Sequence, residues 1–325
     1  MLVGLNTTWV LLGALALEGV AGYPVILWRS IGHPVSWIGW YLNLGEARLN
    51  SHGRHPMRDL MSGMAWLALG LISLGGFMWF LSVALSQLAF GWLLELLIIA
   101  TLVASRSLYT HVREVYAALS QANIDDARQK VSLIVGRNTD TLEEHAIARA
   151  AVESLAENAS DGVIAPLFWG LVAGLPGIAI YKLVNTADSM WGHRNGQYEW
   201  FGKTAARLDD FLNLVPARLT GLLFCLSAVP KRRGANAFRV MRRDASTHLS
   251  PNAGWPEAAM AGALDRRLGG PRQYQGQITD GVWLGDGSED LDANDLRESL
   301  HLYLVMLGFV VVMVAIIGLL GGQGL

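Results

Sequence analysis

Two stretches of the chain concentrate side chains able to do chemistry. In the first, Glu153, Glu157 and Asp161 recur at intervals of four, with Asn158 and Ser160 among them. On a helix that spacing lines one face. Three carboxylates on one face repel unless something positive sits among them. Mg²⁺, which takes carboxylate and phosphate oxygens, is one answer; pairing with Arg149 on a solvated face is the plainer one, and residue type alone favours it. The second stretch holds Asn185, Asp188, Ser189, His193, Arg194 and Asn195, then Lys203, Arg207, Asp209, Asp210, Asn213 and Arg218. Asn185 with Asp188, and Asp210 with Asn213, stand three apart and so share a helix face. Charges this near apolar spans are costly, and they pair or line a polar cavity. Salt bridging explains Arg207 and Arg218 as readily as function does; for Asp188 and Asp210 function is the better reading.

Two shorter motifs lie outside these stretches. His33-Pro34-Val35 follows the first apolar run, with Glu46 further along. A lone histidine at a membrane boundary is more often a structural hydrogen-bonding residue than a base. Ser250-Pro251-Asn252-Ala253-Gly254-Trp255-Pro256-Glu257 reads as a turn entering a helix, with Pro256 at or near its start. An exposed helix N-terminus there could hold a phosphate, or the helix could simply be well capped. The sequence has no Gly-x-x-x-x-Gly-Lys-Ser/Thr loop, no dinucleotide fingerprint after a strand and no His-Glu-x-x-His. A nucleotide site must be built without them.

The elements that position these residues are membrane helices. Of 325 residues 52% are hydrophobic and 16% charged, against about 25% charged in soluble domains. The apolar residues form blocks. Four blocks reach the roughly 20 residues a span needs: 8–27, 60–85, 211–229 and 300–320. A fifth, 90–104, is shorter and carries Glu95. A sixth, 163–184, is interrupted by Pro166, Pro176 and several glycines, as in a broken or tightly packed helix. These make an all-α polytopic membrane protein with five or six membrane segments, a helical cytoplasmic region and a mixed cytoplasmic loop region. Five divisions follow: 1–104, N-terminal segments with the His33 loop; 105–162, helical, with Asn138 and Asp140 opening a helix through Leu142; 163–229, the broken segment, the polar motif loop and the next span; 230–299, mixed, with a helix near 257–268 and a strand pair near 274–284; and 300–325, the last span. Basic residues follow the first and fifth spans and dot 105–162, so with six spans the positive-inside rule makes those regions cytoplasmic. Cys225, the single cysteine, reads as a small buried apolar side chain, and the net charge of −2 gives no reason to expect a nucleic-acid partner.

The run Glu157-Asn158-Ala159-Ser160-Asp161-Gly162-Val163-Ile164-Ala165-Pro166 resembles the central signature of adenosylcobinamide-phosphate synthases, membrane enzymes of cobalamin synthesis. The resemblance extends to Asn185-Thr186-Ala187-Asp188-Ser189-Met190 and Ala206-Arg207-Leu208-Asp209-Asp210. It continues through His33-Pro34-Val35, Ile134-Val135-Gly136-Arg137, Pro216-Ala217-Arg218, 250–254, Gly269-Gly270-Pro271 and Tyr274-Gln275-Gly276. The matches run in order along nearly the whole chain. Asn138 stands where the family has an aspartate, which speaks against an essential carboxylate there. His193 and Gly196 replace an expected tyrosine and acid.

The resemblance implies an ATP-dependent ligase of the inner membrane. It would join the free propionate of adenosylcobyric acid, a corrinoid, in an amide to aminopropanol phosphate or ethanolamine phosphate. ATP and Mg²⁺ are then the implied cofactors. Glu157, Asp161, Asp188 and Asp210 become the implied metal-holding and catalytic carboxylates, with His33 or a carboxylate as proton acceptor. Asn158, Asn185, Arg194, Asn195, Arg207, Arg218, Ser250 and Asn252 are the implied substrate and phosphate ligands. The partners are the corrinoid, the aminoalcohol phosphate and the lipid bilayer, with a homo-oligomer or association with other cobalamin-pathway enzymes left open. Six simple spans would put Glu157–Asp161 and Asn185–Asp210 on opposite sides, so a cavity within the membrane is the expected remedy. A transporter, for which a broken helix is also apt, and a membrane sensor are the competing readings.

Overall fold

The computed structural model describes residues 5–23, 25–136, 138–193, 196–274, 277–279 and 281–321. In chain order the helices are α1 (Leu5–Ala21), α2 (Val25–Ile31), α3 (Pro34–Leu49), α4 (Pro56–Ser86), α5 (Gly91–Ala100), α6 (Ser105–Ser120), α7 (Ile124–Ser132) and α8 (Glu144–Ala159). A π-helical turn, π1 (Ser160–Ile164), leads into α9 (Ala165–Trp191), α10 (Lys203–Leu212), α11 (Leu214–Ser227), α12 (Gly234–Asp244), α13 (Gly254–Leu264) and α14 (Ala293–Gly321). Before α14 come the only strands among the described residues, β1 (Leu268–Gly269), β2 (Arg272–Tyr274), β3 (Gln277–Thr279) and β4 (Trp283–Leu284). β1 pairs antiparallel with β4, and β2 with β3, so the expected strand pair is two short ones.

Five helical runs are long and apolar enough to cross a membrane: Pro56–Ser86, Gly91–Ser120, Glu144–Trp191, Leu214–Lys231 and Ala293–Gly321. The chain is an all-α polytopic membrane protein. Three expectations are corrected. The first span does not run from 8 to 27: α1 stops at Ala21, where Gly22 turns left-handed (φ 63°) and its amide bonds back to Glu18 O at 2.8 Å. That is a common helix stop. The span expected over 211–229 begins instead at Leu214, because α10, which carries Asp209 and Asp210, is a separate amphipathic helix ending at Leu212. Asn138 and Asp140 do not begin α8 either. Asn138 Oδ1 accepts the Asp140 amide at 2.8 Å, a side-chain turn that competes with helix.

The interrupted sixth segment is broken as its prolines and glycines suggest. Within α9, Ala173 (φ −139°) and Gly174 (φ 63°, ψ −151°) leave helical geometry just before Pro176. Only glycine takes that Gly174 conformation without strain. A straight helix would hold residues 169 and 177 about 12 Å apart. Here a Cβ on Gly177 would collide with the Trp169 carbonyl oxygen, and one on Gly170 would lie 2.9 Å from Ile178 Cδ1. The two arms of α9 therefore fold against each other at the break.

The chain forms two compact units, Met1–Ala104 with Ala165–Asn213 and Val314–Leu325, and Ser105–Ile164 with Leu214–Met313. In the first, α9 packs on α3, α4 and α10 around Leu42, Leu67, Leu183, Ala187, Trp191, Phe201 and Ala205. In the second, α13 packs on α8, α11 and α12. Its Ala- and Gly-rich sequence lets three helices approach, and every residue but Trp255 is buried. Cys225 is buried in α11, as expected.

Candidate functional site

In the second unit the acidic signature does not form one face. Glu153 is buried, and its Oε1 accepts the Gly269 amide at 2.7 Å, while Glu157 is exposed. The α-helical spacing also fails beyond Ser160. There the chain switches to π geometry, which widens the turn, and Asp161, its second residue, is half-buried. Single π turns inside helices are rare and frequent at functional sites. Ser160, 2% exposed, has a hydroxyl that bonds no described residue. Asn158 Nδ2 donates to Ser154 O (2.9 Å) and Oγ (3.2 Å), and Ser154 Oγ donates to Ile134 O at 2.7 Å.

π1 packs on α8 and α11, and α13 on α8 and α11, so α8 with Glu157, α11 with Arg218 and the helix that follows Asn252 are one packed set. The Arg218 guanidinium lies 4.4 Å over the Trp255 ring and donates to Leu214 O at 2.7 Å. Stacking holds the charge in place. Ser250 Oγ accepts the amides of Asn252 and Ala253, both at 3.2 Å, and His248 Nδ1 accepts that of Ser250 at 3.0 Å. The exposed helix N-terminus expected here is instead buried. A Cβ on Gly254 would collide with Ala245 O, and Asn252, Ala253 and Gly254 are all buried. Ala253, at the cap position of α13, makes no side-chain cap hydrogen bond, so Ser250 closes the turn before the helix and does not cap it.

In the first unit the Asn185–Asp210 stretch converges on a residue that the spacing does not single out. Asp209 is 8% exposed. Asn213 Nδ2 donates to its Oδ2 at 2.9 Å, and Asn185 Nδ2 to its Oδ1 at 3.4 Å. Tyr181 Oη donates in turn to Asn213 Oδ1 at 3.0 Å. Asn213 thus pairs with Asp209 rather than with Asp210, and Asp210 lies 4.0 Å from Arg207. Burial pushes the Asp209 carboxyl above its ordinary range, against the pull of the two amides and Lys182, with Asp210 adding to the push. Asp188 is half-buried one turn beyond Asn185. Arg194 and Asn195 lie outside the described residues. His33 caps α3: its Nδ1 accepts the Val35 amide at 3.2 Å, and its ring lies 4.6 Å from that of Tyr23. Burial, and then Lys182, lower its pKa. The lone pair that a base would use is the one this amide holds.

Two further carboxylates knit the first unit. Glu46 accepts Tyr198 Oη (2.7 Å), Gln197 Nε2 (3.2 Å) and Trp191 Nε1 (3.3 Å). Shallow burial and Glu46 push the Tyr198 hydroxyl up to about 12. Asp59, fully buried, accepts the amides of Ser51 (2.9 Å) and Gly53 (3.0 Å). A proline at the first helical position with an acid three residues on was the available signal for Asp59; Glu46 stood out only by its place after the His33 motif. Among the described residues no three His, Cys, Asp or Glu side chains gather closely enough to hold a metal ion by themselves. An apolar cavity of about 660 Å³ in the first unit and a charged cleft of about 550 Å³ in the second contain none of the sequence-predicted site residues.

A family model described as CobD/Cbib protein matches residues 11–303. The cobalamin biosynthesis protein CobD of Brucella anthropi is 46% identical over 319 residues, 95% of this chain and 97% of its own length. Its namesake in Rhodobacter capsulatus is 46% identical over 304 residues (92% and 93%), and that in Rhizobium meliloti 44% over 303 (87% and 90%). No solved structure matches.

Proposed function

The chain belongs to the CobD/Cbib family, and from that premise we propose that it is the cobalamin-pathway ligase that forms the amide between adenosylcobyric acid and an aminoalcohol phosphate. Membership supports a role in cobalamin biosynthesis. The observation that carries the finer reading is that the signature run 157–166 falls on π1, the one π-helical departure among the described residues, beside the exposed Glu157 and half-buried Asp161.

The chemistry asks for few groups. A carboxylate does not condense with an amine unaided in water, so ATP first converts the propionate to an acyl phosphate or a similar activated ester. The amine nitrogen then attacks the carbonyl carbon, the C–N bond forms and the activating group leaves. Mg²⁺, when bound, would offset the triphosphate charge. Such complexes take one or two carboxylates from protein, the rest being phosphate and water. Glu157 with Asp161, or Asp188 with Asp210, matches that number without a three-residue cage. Arg207, Arg218 and Arg194 are the cations for phosphate oxygens. The amine proton goes to a carboxylate, since the basic nitrogen of His33 is held by Val35. The bilayer would be the inner membrane.

The test is mass analysis of products formed by detergent-purified protein given adenosylcobyric acid, ATP, Mg²⁺ and aminopropanol phosphate or ethanolamine phosphate. Amide formed in step with ADP or AMP, and lost in folded Asp188→Asn and Asp210→Asn variants, is the expected result. Folded protein giving neither amide nor nucleotide turnover with either amine would sink this reading. The break in α9 would then favour a transporter.

A further inference from the structure

Asp209 and the three side chains around it form a hydrogen-bond chain with a fixed direction. Tyr181 Oη donates to Asn213, and Asn213 Nδ2 and Asn185 Nδ2 both donate to Asp209. The oxygen and nitrogen of an amide are assigned by their partners, and a carboxylate only accepts. Both asparagines must therefore turn their NH₂ groups to Asp209. Turning either one over would set a carbonyl oxygen against a buried carboxylate, which a low-dielectric site penalises heavily. It follows that Asn185 Oδ1, at the other corner of the amide, faces away from Asp209. Asn185 is half-buried, and its Oδ1 takes no hydrogen bond from any described residue.

We infer that Asp209 is a positioning residue that presents the lone pairs of Asn185 Oδ1 outward, so that this group recognises a cation and not a phosphate. This narrows the substrate- or phosphate-binding role that the resemblance implied for Asn185. The surroundings agree in sign: Asp188 follows on the same helix face, and Asp210 adjoins Asp209. Of the cations nearby, Arg207 lies against Asp210 and Lys182 acts on Asp209. Two ligands share the required chemistry, a divalent metal ion and a protonated amine. The inference rests on the ligase reading for that choice of ligands, but its test needs no turnover.

Calorimetric titration of the full chain in detergent, without ATP or corrinoid, would use Mg²⁺ alone, ethanolamine phosphate alone and inorganic phosphate alone. One of the first two should bind. Asn185→Leu, which leaves the Tyr181–Asn213–Asp209 bonds intact, should weaken that binding at least about tenfold, the worth of a hydrogen bond to a charged group. Asp209→Asn should do the same, because an amide at 209 can no longer hold both NH₂ groups. The exchange Asn185→Asp with Asp209→Asn should restore binding to within about threefold, the scatter left by imperfect additivity. The amide at 209 then accepts from Asn213 and donates to the carboxylate at 185, which keeps one oxygen facing outward. Which probe responds distinguishes metal from amine. The inference fails if neither probe binds the unaltered chain, if Asn185→Leu binds as tightly as the unaltered chain, or if inorganic phosphate is the ligand that Asn185→Leu loses. It also fails if the exchange regains the melting temperature but not the binding. If Asp209→Asn does not fold, Asn185→Leu carries the test. Absence of amide product with this binding pattern intact would sink the ligase reading and leave the positioning role standing.

Discussion

The polar residues around the signature run and the α13 turn of the second unit, and those around Asp209 in the first, are used in different ways. In the second unit side chains hold backbone: Glu153 holds the Gly269 amide, Ser154 the Ile134 carbonyl, Arg218 the Leu214 carbonyl, and Ser250 two amides of its own turn. In the first, Tyr181, Asn213, Asp209 and Asn185 hold one another. A side chain that answers a peptide group shapes the chain, and any isostere with the right atom will serve. A network of side chains around a single acceptor instead has a direction, and one substitution can reverse it. The first arrangement builds form; the second can set which atom a ligand meets.

The comparison breaks first at Glu153. Glu153→Ala leaves the Gly269 amide buried without its acceptor, so unfolding stability should fall by about 2–3 kcal/mol, read as a lower melting temperature in detergent. Glu153→Gln should recover most of that loss, because its side-chain oxygen can accept the same amide. Equal losses for Ala and Gln would mean the charge matters, and the two units would be alike after all.

Asn213→Leu tests the other side. It separates Tyr181 from Asp209 and leaves a buried carboxylate with one amide, at a cost of about 1–3 kcal/mol. Its effect on product formation should exceed what the lost stability explains, because Asp209, which orients Asn185, loses the amide that holds it in place. A variant that melts lower but turns over normally would reduce the network to a structural one.

Asp244 sharpens the comparison by pH. Its Oδ2 accepts the Gly285 amide at 2.8 Å, and Arg243 pairs with it. Burial works to raise its carboxyl, but the Arg243 and Gly285 bonds outweigh that and hold it below the usual range. A depressed carboxyl contributes stability above its unfolded pKa of about 3.9 and loses it as pH falls through the folded value. Hydrogen exchange at Gly285 should therefore quicken on acidification below about pH 4, beyond the intrinsic trend. That step should be missing in Asp244→Asn. The smallest expected effect is at Tyr198→Phe, which removes one bond to Glu46 at the surface and should cost about 0.5–1.5 kcal/mol, checked by melting temperature.

Much of the fold was legible because its signals are local. Apolar blocks longer than about 20 residues mark spans whatever surrounds them, and three of the six anticipated blocks fall within helical runs able to cross while two more overlap such runs. Pro176 and the glycines before it marked the break in α9 for the same reason: backbone restrictions act within a few residues. The end of α1 at Gly22 and the late start of α8 were missed because an apolar count does not register a left-handed stop or a competing side-chain turn.

The sequence by itself determined that the chain is polytopic, that its sixth segment is broken, and which polar residues cluster along it. Only the tertiary structure decided what those residues do. Spacing placed Glu153, Glu157 and Asp161 on one face, but packing buried the first against Gly269, left the second exposed and half-buried the last. Spacing paired Asp210 with Asn213, yet the packing of α10 on α9 brought Asp209 inward and gave it both asparagines. Helical periodicity states which residues can share a face. Burial decides which of them lose water, and a buried carboxylate without water dictates the orientation of every donor around it.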